Sequence, residues 1–234
     1  MLIRFLYKVF HFLLLNIEIH GARRIRKDEP AVFVSNHAGT FGPLSIVTAF
    51  SSQLYTWVDH EVTEKDTVEK RIKAEFLEAE LHLKGPFSSL LSRIIGRVCV
   101  ALMRALNVIP VYSRSKAIKS TVDRSLKLLG EGKNILVFPE DSRSPLNEIL
   151  CSFQTGFLHL ARRYFQQTKK ALSFIPVAVH RRLRKIAVGE PIRYRSDNPF
   201  PVEKIRLKKE LEFRVYTLYR SLESESLEKA SGDK

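Results

Sequence analysis

Short runs of apolar, β-branched and aromatic residues alternate along this chain with longer segments of helical periodicity. The clearest runs are Ala31–Ser35 (AVFVS), Asn134–Phe138 (NILVF) and Phe174–Val179 (FIPVAV). A helical pattern over Ser115–Leu129 ends at Gly130, just before NILVF, and another covers Phe153–Phe165. Strands that alternate with helices favour an α/β fold, in which helices cover a mostly parallel mixed sheet.

The ends of the chain differ from this pattern. An amphipathic helix over Glu203–Leu222 closes the folded part, and a polar stretch follows it. We therefore predict an N-terminal interfacial helix at 1–16, one α/β domain at 17–225 and a frayed polar tail at 226–234. The length of 234 residues suits a single core with such an appendage.

Composition narrows the function classes. With 44% apolar and 27% charged residues the chain is globular. Its two cysteines, Cys99 and Cys151, are too distant in sequence for a zinc ribbon and too few for a disulfide scaffold, which favours a reducing compartment. The histidines are scattered without paired-ligand spacing, so no metal site is expected. The net charge of +14 predicts an anionic partner: nucleic acid, an acidic membrane or a phosphorylated substrate.

The first 17 residues, MLIRFLYKVFHFLLLNI, form an amphipathic pattern. Arg4, Lys8 and His11 share one face of a helix, and large apolar residues cover most of the rest. This pattern is typical of a helix that lies in a membrane interface. An ordinary core helix and a cleaved signal peptide are the alternatives. A second apolar segment, Ser88–Leu106, is equally compatible with a buried helix and with membrane contact.

Two loops after predicted strands carry the candidate chemistry. The loop after AVFVS contains His37 beside glycines, where an imidazole can act as a general base at neutral pH. The loop after NILVF, Pro139–Pro145, combines two carboxylates, hydroxyls and an arginine, groups that bind a phosphate or a polyol. Taken singly, the histidine is also compatible with a structural role and the second loop with a solvated turn.

The order of four short motifs favours the functional interpretation of both loops over the structural one. Ser35-Asn36-His37, Val108–Val111 (VIPV), Phe138–Ser144 (FPEDSRS) and Ile175–Val179 (IPVAV) follow one another in the order that is typical of glycerolipid acyltransferases. The chain resembles this family, which includes the 1-acyl-glycerol-3-phosphate acyltransferases, from about Ile17 to Leu222. FPEDSRS is the most specific of the four.

The resemblance implies a reaction and its residues. His37 matches the family's catalytic histidine, which takes the proton of a glycerol hydroxyl as that hydroxyl attacks an acyl thioester. Glu140 and Arg143 match the residues that bind the acceptor's glycerol phosphate, and Ser142 stands in a threonine position. Asn36 is counted with the substrate-binding residues. Acyl-CoA or acyl-carrier protein is then the donor, a lysophospholipid the acceptor, and no further cofactor is implied.

The sequence departs from the family pattern where an aspartate normally follows the histidine. That position is Gly42, and the aspartate would orient the imidazole and stabilise its charged form. Asp141, which replaces a glycine, or the adjacent Glu140 is the candidate substitute, and we assign Asp141 to the catalytic set. Asp59, at the end of a predicted strand, is another candidate.

A further departure concerns a phosphate-binding arginine expected after the strand Val108–Tyr112. Ser113 occupies that position, and Arg114 and Lys116 follow it as substitutes. The resulting expectation is a peripheral membrane acyltransferase at the cytoplasmic face, in contact with the phospholipid surface. The alternative is an inactive relative that still binds lysophospholipid or acyl chains. Nucleic acid is not expected as a partner, because no nucleic-acid-binding signature accompanies the dispersed positive charge.

Overall fold

The computed structural model describes residues 17–25, 29–39, 41–50, 54–60, 85, 89, 108–112 and 115–232. The predicted helix at 1–16, most of Ser88–Leu106 and Arg114 lie outside these residues. The chain divides into two compact units, one of residues 1–54 and 126–234 and one of residues 55–125. The predicted single domain at 17–225 stays a prediction. The second unit is a continuous insertion, and no Gly- or Pro-rich linker in the sequence marks its limits.

The described part of the first unit contains a mixed sheet, three complete α-helices and the end of a fourth. Its strands are β1 (Glu18–His20), β2 (Ala31–Ser35), β5 (Asn134–Val137), β8 (Ser173–His180), β9 (Lys185–Val188) and β10 (Ile192–Arg193). Its helices are α1 (Phe41–Ala49), α3 (His159–Thr168) and α4 (Phe200–Gly232), and α2 (Ser115–Gly130) ends in this unit. A separate antiparallel hairpin joins β6 (Glu140–Pro145) to β7 (Cys151–Phe153).

The sheet of the first unit has the strand order β1-β9-β8-β2-β5, with β10 against β8. β2 is parallel to both β5 and β8, and β1 is parallel to β9, whereas β9 and β10 are antiparallel to β8. The expected α/β architecture with a mixed, mostly parallel sheet is therefore confirmed. Every residue of β2 and β8 is buried, which explains why their sequences are continuous apolar runs rather than alternating ones.

The helices contribute apolar side chains to the core beside the sheet. Ile46 and Phe50 join Phe33, Leu136 and Ile175 in one cluster. α4 packs against β8 and β9, and its buried stripe includes Leu207, Leu211, Val215 and Leu222. The spacing of that stripe is the helical period on which the sequence prediction rested.

In the second unit, β3 (Leu54–Asp59) is parallel to β4 (Val108–Val111), with Trp57 opposite Ile109. The Trp57 indole donates a hydrogen bond to the Ser125 hydroxyl on α2 at 2.9 Å, and the Thr121 hydroxyl donates one to the Pro110 carbonyl at 2.7 Å. These bonds join the start of α2 to the strand pair.

Three predicted element bounds are corrected. The segment Glu140–Pro145 is a strand and not a turn. The predicted helix over Phe153–Phe165 is replaced by the end of β7, a 3-10 helix at Gly156–Leu158 and α3. α4 continues to Gly232, so most of the predicted frayed tail is helical. Within the described residues, none of the helices has the length and apolarity required to cross a membrane.

Candidate active site

The carboxyl ends of β2 and β5 lie side by side, because these strands are parallel neighbours with Val34 opposite Val137. Asn36 and His37 follow β2, and Glu140 begins β6 shortly after β5. The topology therefore brings together two of the motifs that are far apart in sequence. Sites in open α/β sheets form at this edge.

Asn36 fastens the end of β2 to β8. Its side-chain amide donates to the Val179 carbonyl at 3.0 Å, and its amide oxygen accepts from the Val179 N–H at 2.8 Å. The side chain is 4% exposed, so its polar atoms are committed to the backbone. These bonds hold the start of the loop that carries His37, and the role of Asn36 in substrate binding stays a prediction.

His37 projects beyond this anchored point. Its side chain is exposed and packs edge-on against Phe138, with ring centroids 5.4 Å apart. The loop turns sharply after it, because Ala38 and Gly39 both adopt left-handed backbone conformations, with φ of 45° and 63°. Among the described residues, no side chain donates to or accepts from the imidazole.

The local environment favours the neutral imidazole. Desolvation by the surrounding atoms lowers the pKa of His37 below the usual 6.5, and the nearby Glu140 carboxylate opposes this by raising it. The side chain is exposed by area, but the Phe138 ring packs against it with ring centroids 5.4 Å apart. A neutral imidazole near pH 7 is the form that can accept a proton.

Glu140 is the carboxylate that contacts the His37 residue. One of its oxygens accepts from the His37 backbone N–H at 2.5 Å, and the other accepts from the Cys151 N–H at 2.9 Å. A single side chain thus joins the histidine loop to both strands of the β6–β7 hairpin. Bonds to an ionised acceptor are stronger than neutral ones, so this clamp fixes the position of His37 through its main chain.

Asp141 makes a different set of contacts. Its carboxylate accepts from the Arg143 N–H at 3.1 Å and from the Arg143 guanidinium at 3.0 and 3.3 Å. The side-chain hydrogen bond from Arg143 is the main reason that the pKa of Asp141 is lowered. In this arrangement Asp141 orients Arg143, and of the two candidate carboxylates it is Glu140 that lies against His37.

Arg143 and Ser142 are displayed on the hairpin. The Arg143 side chain is 82% exposed, and one terminal nitrogen, Nη1, has no hydrogen bond to a described residue. Ser142 is exposed as well. Both side chains are thus accessible to an anionic group from solvent, the property expected of residues that bind a phosphate.

A buried glutamate on α4 holds the hairpin, and sequence analysis did not single it out. Glu212 accepts from the Phe153 N–H at 2.7 Å and from the Ser152 hydroxyl at 3.3 Å, while Lys208 contacts Glu212 at 3.2 Å. The Tyr216 hydroxyl donates to Glu148 near the hairpin tip at 3.0 Å. In the sequence, Glu212 could have been noticed because it lies directly beside the apolar stripe of the amphipathic helix.

Other predicted residues are only partly described. Lys116 lies in the first turn of α2, and its side chain, like all of Arg114, is outside the described residues. Asp59 belongs to the second unit, where it contacts His60 at 3.4 Å. In the described part of the chain, no group of His, Cys, Asp and Glu side chains has a metal-binding arrangement.

The backbone closes around Gly42, the position of the missing aspartate. A Cβ atom there would lie 2.1 Å from the His37 carbonyl oxygen and 2.9 Å from its carbon. Contacts this short require the backbone itself to move. The loss of the aspartate is therefore accompanied by a local structure that excludes every side chain at this position.

We expect Gly42→Asp to destabilise the protein by about 1–3 kcal/mol, because overpacking displaces the His37 loop, and to bring no gain in activity. Urea unfolding measures the first effect. Gly42→Ala serves as the control for the carboxylate and is expected to cost a similar amount. Gly130→Ala, where a Cβ meets open space, controls for the loss of a glycine. Unchanged stability of Gly42→Asp together with a faster reaction would contradict this description.

Comparisons with known proteins agree with the motifs. Residues 77–180 match the family model Acyltransferase, a segment that contains the FPEDSRS and IPVAV motifs and begins after His37. The 1-acyl-sn-glycerophosphate (LPA) acyltransferase PlsC from Thermotoga maritima has a similar fold, with a TM-score of 0.55 at 17% identity. The alignment covers 95% of this chain and 77% of that one. No curated protein sequence matches this chain significantly. The match of residues 77–180 to the Acyltransferase family model agrees with the resemblance that the motifs indicate, and the likeness to PlsC shows a similar fold.

Proposed function

We propose that this protein transfers a fatty acyl group from acyl-CoA or acyl-carrier protein to a hydroxyl of a lysophosphatidic acid-like acceptor. The observation that carries the proposal is the Glu140 clamp, which holds an exposed histidine beside the hairpin that displays Ser142 and Arg143. We place the enzyme at the cytoplasmic face of a membrane, as a peripheral protein, because its acceptor is a lipid.

The chemistry needs one proton acceptor and one site for the acceptor phosphate. As the acceptor oxygen bonds to the thioester carbonyl carbon, its proton passes to the neutral His37 imidazole. The carbon–sulfur bond then breaks, and the leaving thiolate takes the proton back from the imidazolium. Arg143, oriented by Asp141, pairs with the phosphate through its exposed nitrogens. Arg114 and Lys116 are further candidates for this contact.

Glu140 takes over part of the missing aspartate's role in this proposal. It does so through the His37 backbone, which it positions, and through its charge, which stabilises the imidazolium formed during proton transfer. It is a positioning residue. The direct hydrogen bond that an aspartate would make to the imidazole has no replacement among the described residues.

The absence of a side chain that hydrogen-bonds to the His37 imidazole among the described residues also favours a second function. The closed backbone at Gly42 and the imidazole without a hydrogen-bonding partner among the described residues are also what an inactive relative would show. Such a protein would bind lysophospholipid or acyl chains at the membrane without transferring them. The two functions differ in one measurable respect, which is turnover.

The experiment is release of free thiol from acyl-CoA, and separately from acyl-carrier protein, in mixed micelles with and without lysophosphatidic acid. We expect release that depends on both protein and acceptor. A panel of other lysophospholipids and of acyl chain lengths identifies the preferred pair. Saturable binding of lysophospholipid without release from any donor in the panel would establish the inactive binder instead.

The pH dependence of transfer is a further expected result. His37 must be unprotonated to act as a base, and its pKa is lowered, so kcat/KM should fall only below pH 6.5 as acid protonates the imidazole. The rate above that pH should be flat until another group titrates. A pH profile at saturating donor measures this limb. A rate that is half-maximal above pH 6.5 would contradict a desolvated histidine base.

A further inference from the structure

The outward side of α4 has an unusual composition. Most of the exposed side chains between 201 and 227 follow the helical period along one face, and we call the whole exposed set the α4 outer line. Its members are Pro201, Val202, Ile205, Lys209, Phe213, Arg214, Thr217, Arg220, Ser224 and Leu227. Ile205 is 54% exposed, Phe213 64% and Leu227 72%, so large apolar groups remain in contact with water. At 1.5 Å per residue the line, from Pro201 to Leu227, is about 39 Å long.

The described glutamates of this helix lie outside the line. Five glutamates occur between 200 and 227, and none belongs to the α4 outer line: Glu203, Glu210, Glu212, Glu223 and Glu225. Glu203 and Glu212 are buried, and each of the five is bonded within the protein, for example Glu225 to His20 at 3.2 Å and Glu203 to Arg206 at 2.6 Å. Three cations, Lys209, Arg214 and Arg220, belong to the line, whereas Lys204, Arg206 and Lys208 lie beside it with the glutamates.

Three cations stand between the apolar residues of the line. Lys209 has no ion pair or hydrogen bond to another described residue. Arg214 contacts Glu210 at 3.8 Å and Arg220 contacts Glu223 at 2.8 Å, both on the flank of the line. These are exposed pairs, which water and salt weaken, so both guanidiniums can exchange a glutamate for another anion.

We infer that the α4 outer line docks on a bilayer surface that contains anionic phospholipids. Its combination of Val, Ile, Phe and Leu with Lys and Arg, with no carboxylate among its members, is the pattern of a helix that lies in the interface plane. Apolar side chains enter the boundary of the acyl chains while cations meet phosphates. A protein partner is disfavoured, because the core of a protein interface is depleted of lysine and forms a contiguous apolar patch.

This surface is connected to the candidate active site. The same helix holds the β6–β7 hairpin through the bonds of Glu212 to Ser152 and Phe153. That hairpin carries Arg143, the residue proposed for the acceptor phosphate. A bilayer against the α4 outer line would therefore be bound by the unit that receives the lipid acceptor. The inference itself does not depend on acyl transfer.

The test is co-flotation of the full-length protein with vesicles, measured without any acyl donor. One set of vesicles is phosphatidylcholine, and the other contains a one-third share of phosphatidylglycerol. We expect preferential binding to the anionic vesicles and a loss of about tenfold in affinity for Lys209→Glu. Phe213→Ser should weaken binding to a similar degree. Lys127→Glu, the same charge change at an exposed position of α2, and Leu146→Ser, an exposed leucine on the hairpin, are the matched controls and should bind as wild type does.

Each outcome decides the question. Selective loss in Lys209→Glu and Phe213→Ser, with circular dichroism unchanged, supports the inference even if the protein transfers no acyl group. Equal binding by these variants and their controls overturns it and places any membrane contact elsewhere in the chain. Concentration-dependent self-association in sedimentation that Phe213→Ser abolishes, without an effect on flotation, also overturns it, because a second copy would then cover the line.

Discussion

His37→Ala should reduce acceptor-dependent acyl transfer about 10²- to 10⁴-fold, the usual contribution of a general base. The expectation follows from the position of the imidazole, exposed at the carboxyl edge of β2, with a lowered pKa and with its main chain fixed by Glu140. The loss should appear in kcat more than in KM, because the imidazole acts on the reacting hydroxyl rather than on the phosphate. Steady-state kinetics of thiol release measure both constants.

Two variants control for this result. His37→Gln keeps a polar side chain of similar size but cannot act as a base near neutral pH, so it should be as slow as His37→Ala. His159→Gln changes a histidine that packs against Phe200 on the far end of α4 and should retain most of the activity. If His37→Ala and His159→Gln reacted at the same rate, the imidazole would have no part in the chemistry.

Glu140→Gln should lower the rate by up to about 100-fold, since small displacements of a reacting group are costly. A carboxylate accepts from both the His37 and the Cys151 N–H groups. A glutamine oxygen can serve one of them, and its NH₂ group faces the other donor. The variant should also move the acid limb of the pH profile to lower pH, because the Glu140 charge raises the pKa of His37.

The shift in the pH profile distinguishes a positioning carboxylate from a merely structural one. Glu148→Gln, on the same hairpin and bonded to Tyr216, controls for damage to the hairpin and should leave the acid limb where it is. Asp141→Ala tests the other candidate carboxylate. A larger loss of rate for Asp141→Ala than for Glu140→Gln, with no displacement of the acid limb in Glu140→Gln, would assign the relay role to Asp141.

Much of the sheet was predictable from sequence, because its strands are buried on both faces. β2, β5 and β8 appear as continuous apolar runs; the predicted bounds of β2 match the observed ones, and those of β5 and β8 differ by one residue at one or both ends. The four motifs also indicated the acyltransferase family, which the family match supports.

The β6–β7 hairpin was not predictable in the same way. Glu140–Pro145 (EDSRSP) has none of the β-branched or aromatic residues that strands prefer, and four of its six residues, an aspartate, two serines and a proline, favour turns. The hairpin is held instead by side chains distant in sequence, above all Glu212, whose bonds to Ser152 and Phe153 exist only in the folded protein. The secondary-structure preferences of the hairpin residues therefore do not indicate these contacts.

The residues of the candidate site were likewise predictable only in part. His37 was identifiable as a candidate base from its place after a buried strand. Asn36 was expected to bind substrate, and Glu140 either to bind substrate or to replace the aspartate; their hydrogen bonds to Val179, His37 and Cys151 are contacts that the motifs do not indicate. A motif states which residues occur together, and only the geometry shows which of them face each other.

The most direct test of the account is the mass of the lipid product. Purified protein is incubated with acyl-CoA or acyl-carrier protein carrying an isotopically labelled acyl chain and with lysophosphatidic acid, alongside His37→Ala. The account predicts that the wild type adds one labelled acyl chain to the acceptor and that His37→Ala adds almost none. An unmodified acceptor after prolonged incubation with every donor and chain length, from a protein that still binds the lysophospholipid, would contradict the proposed transfer and leave a lipid-binding protein in its place.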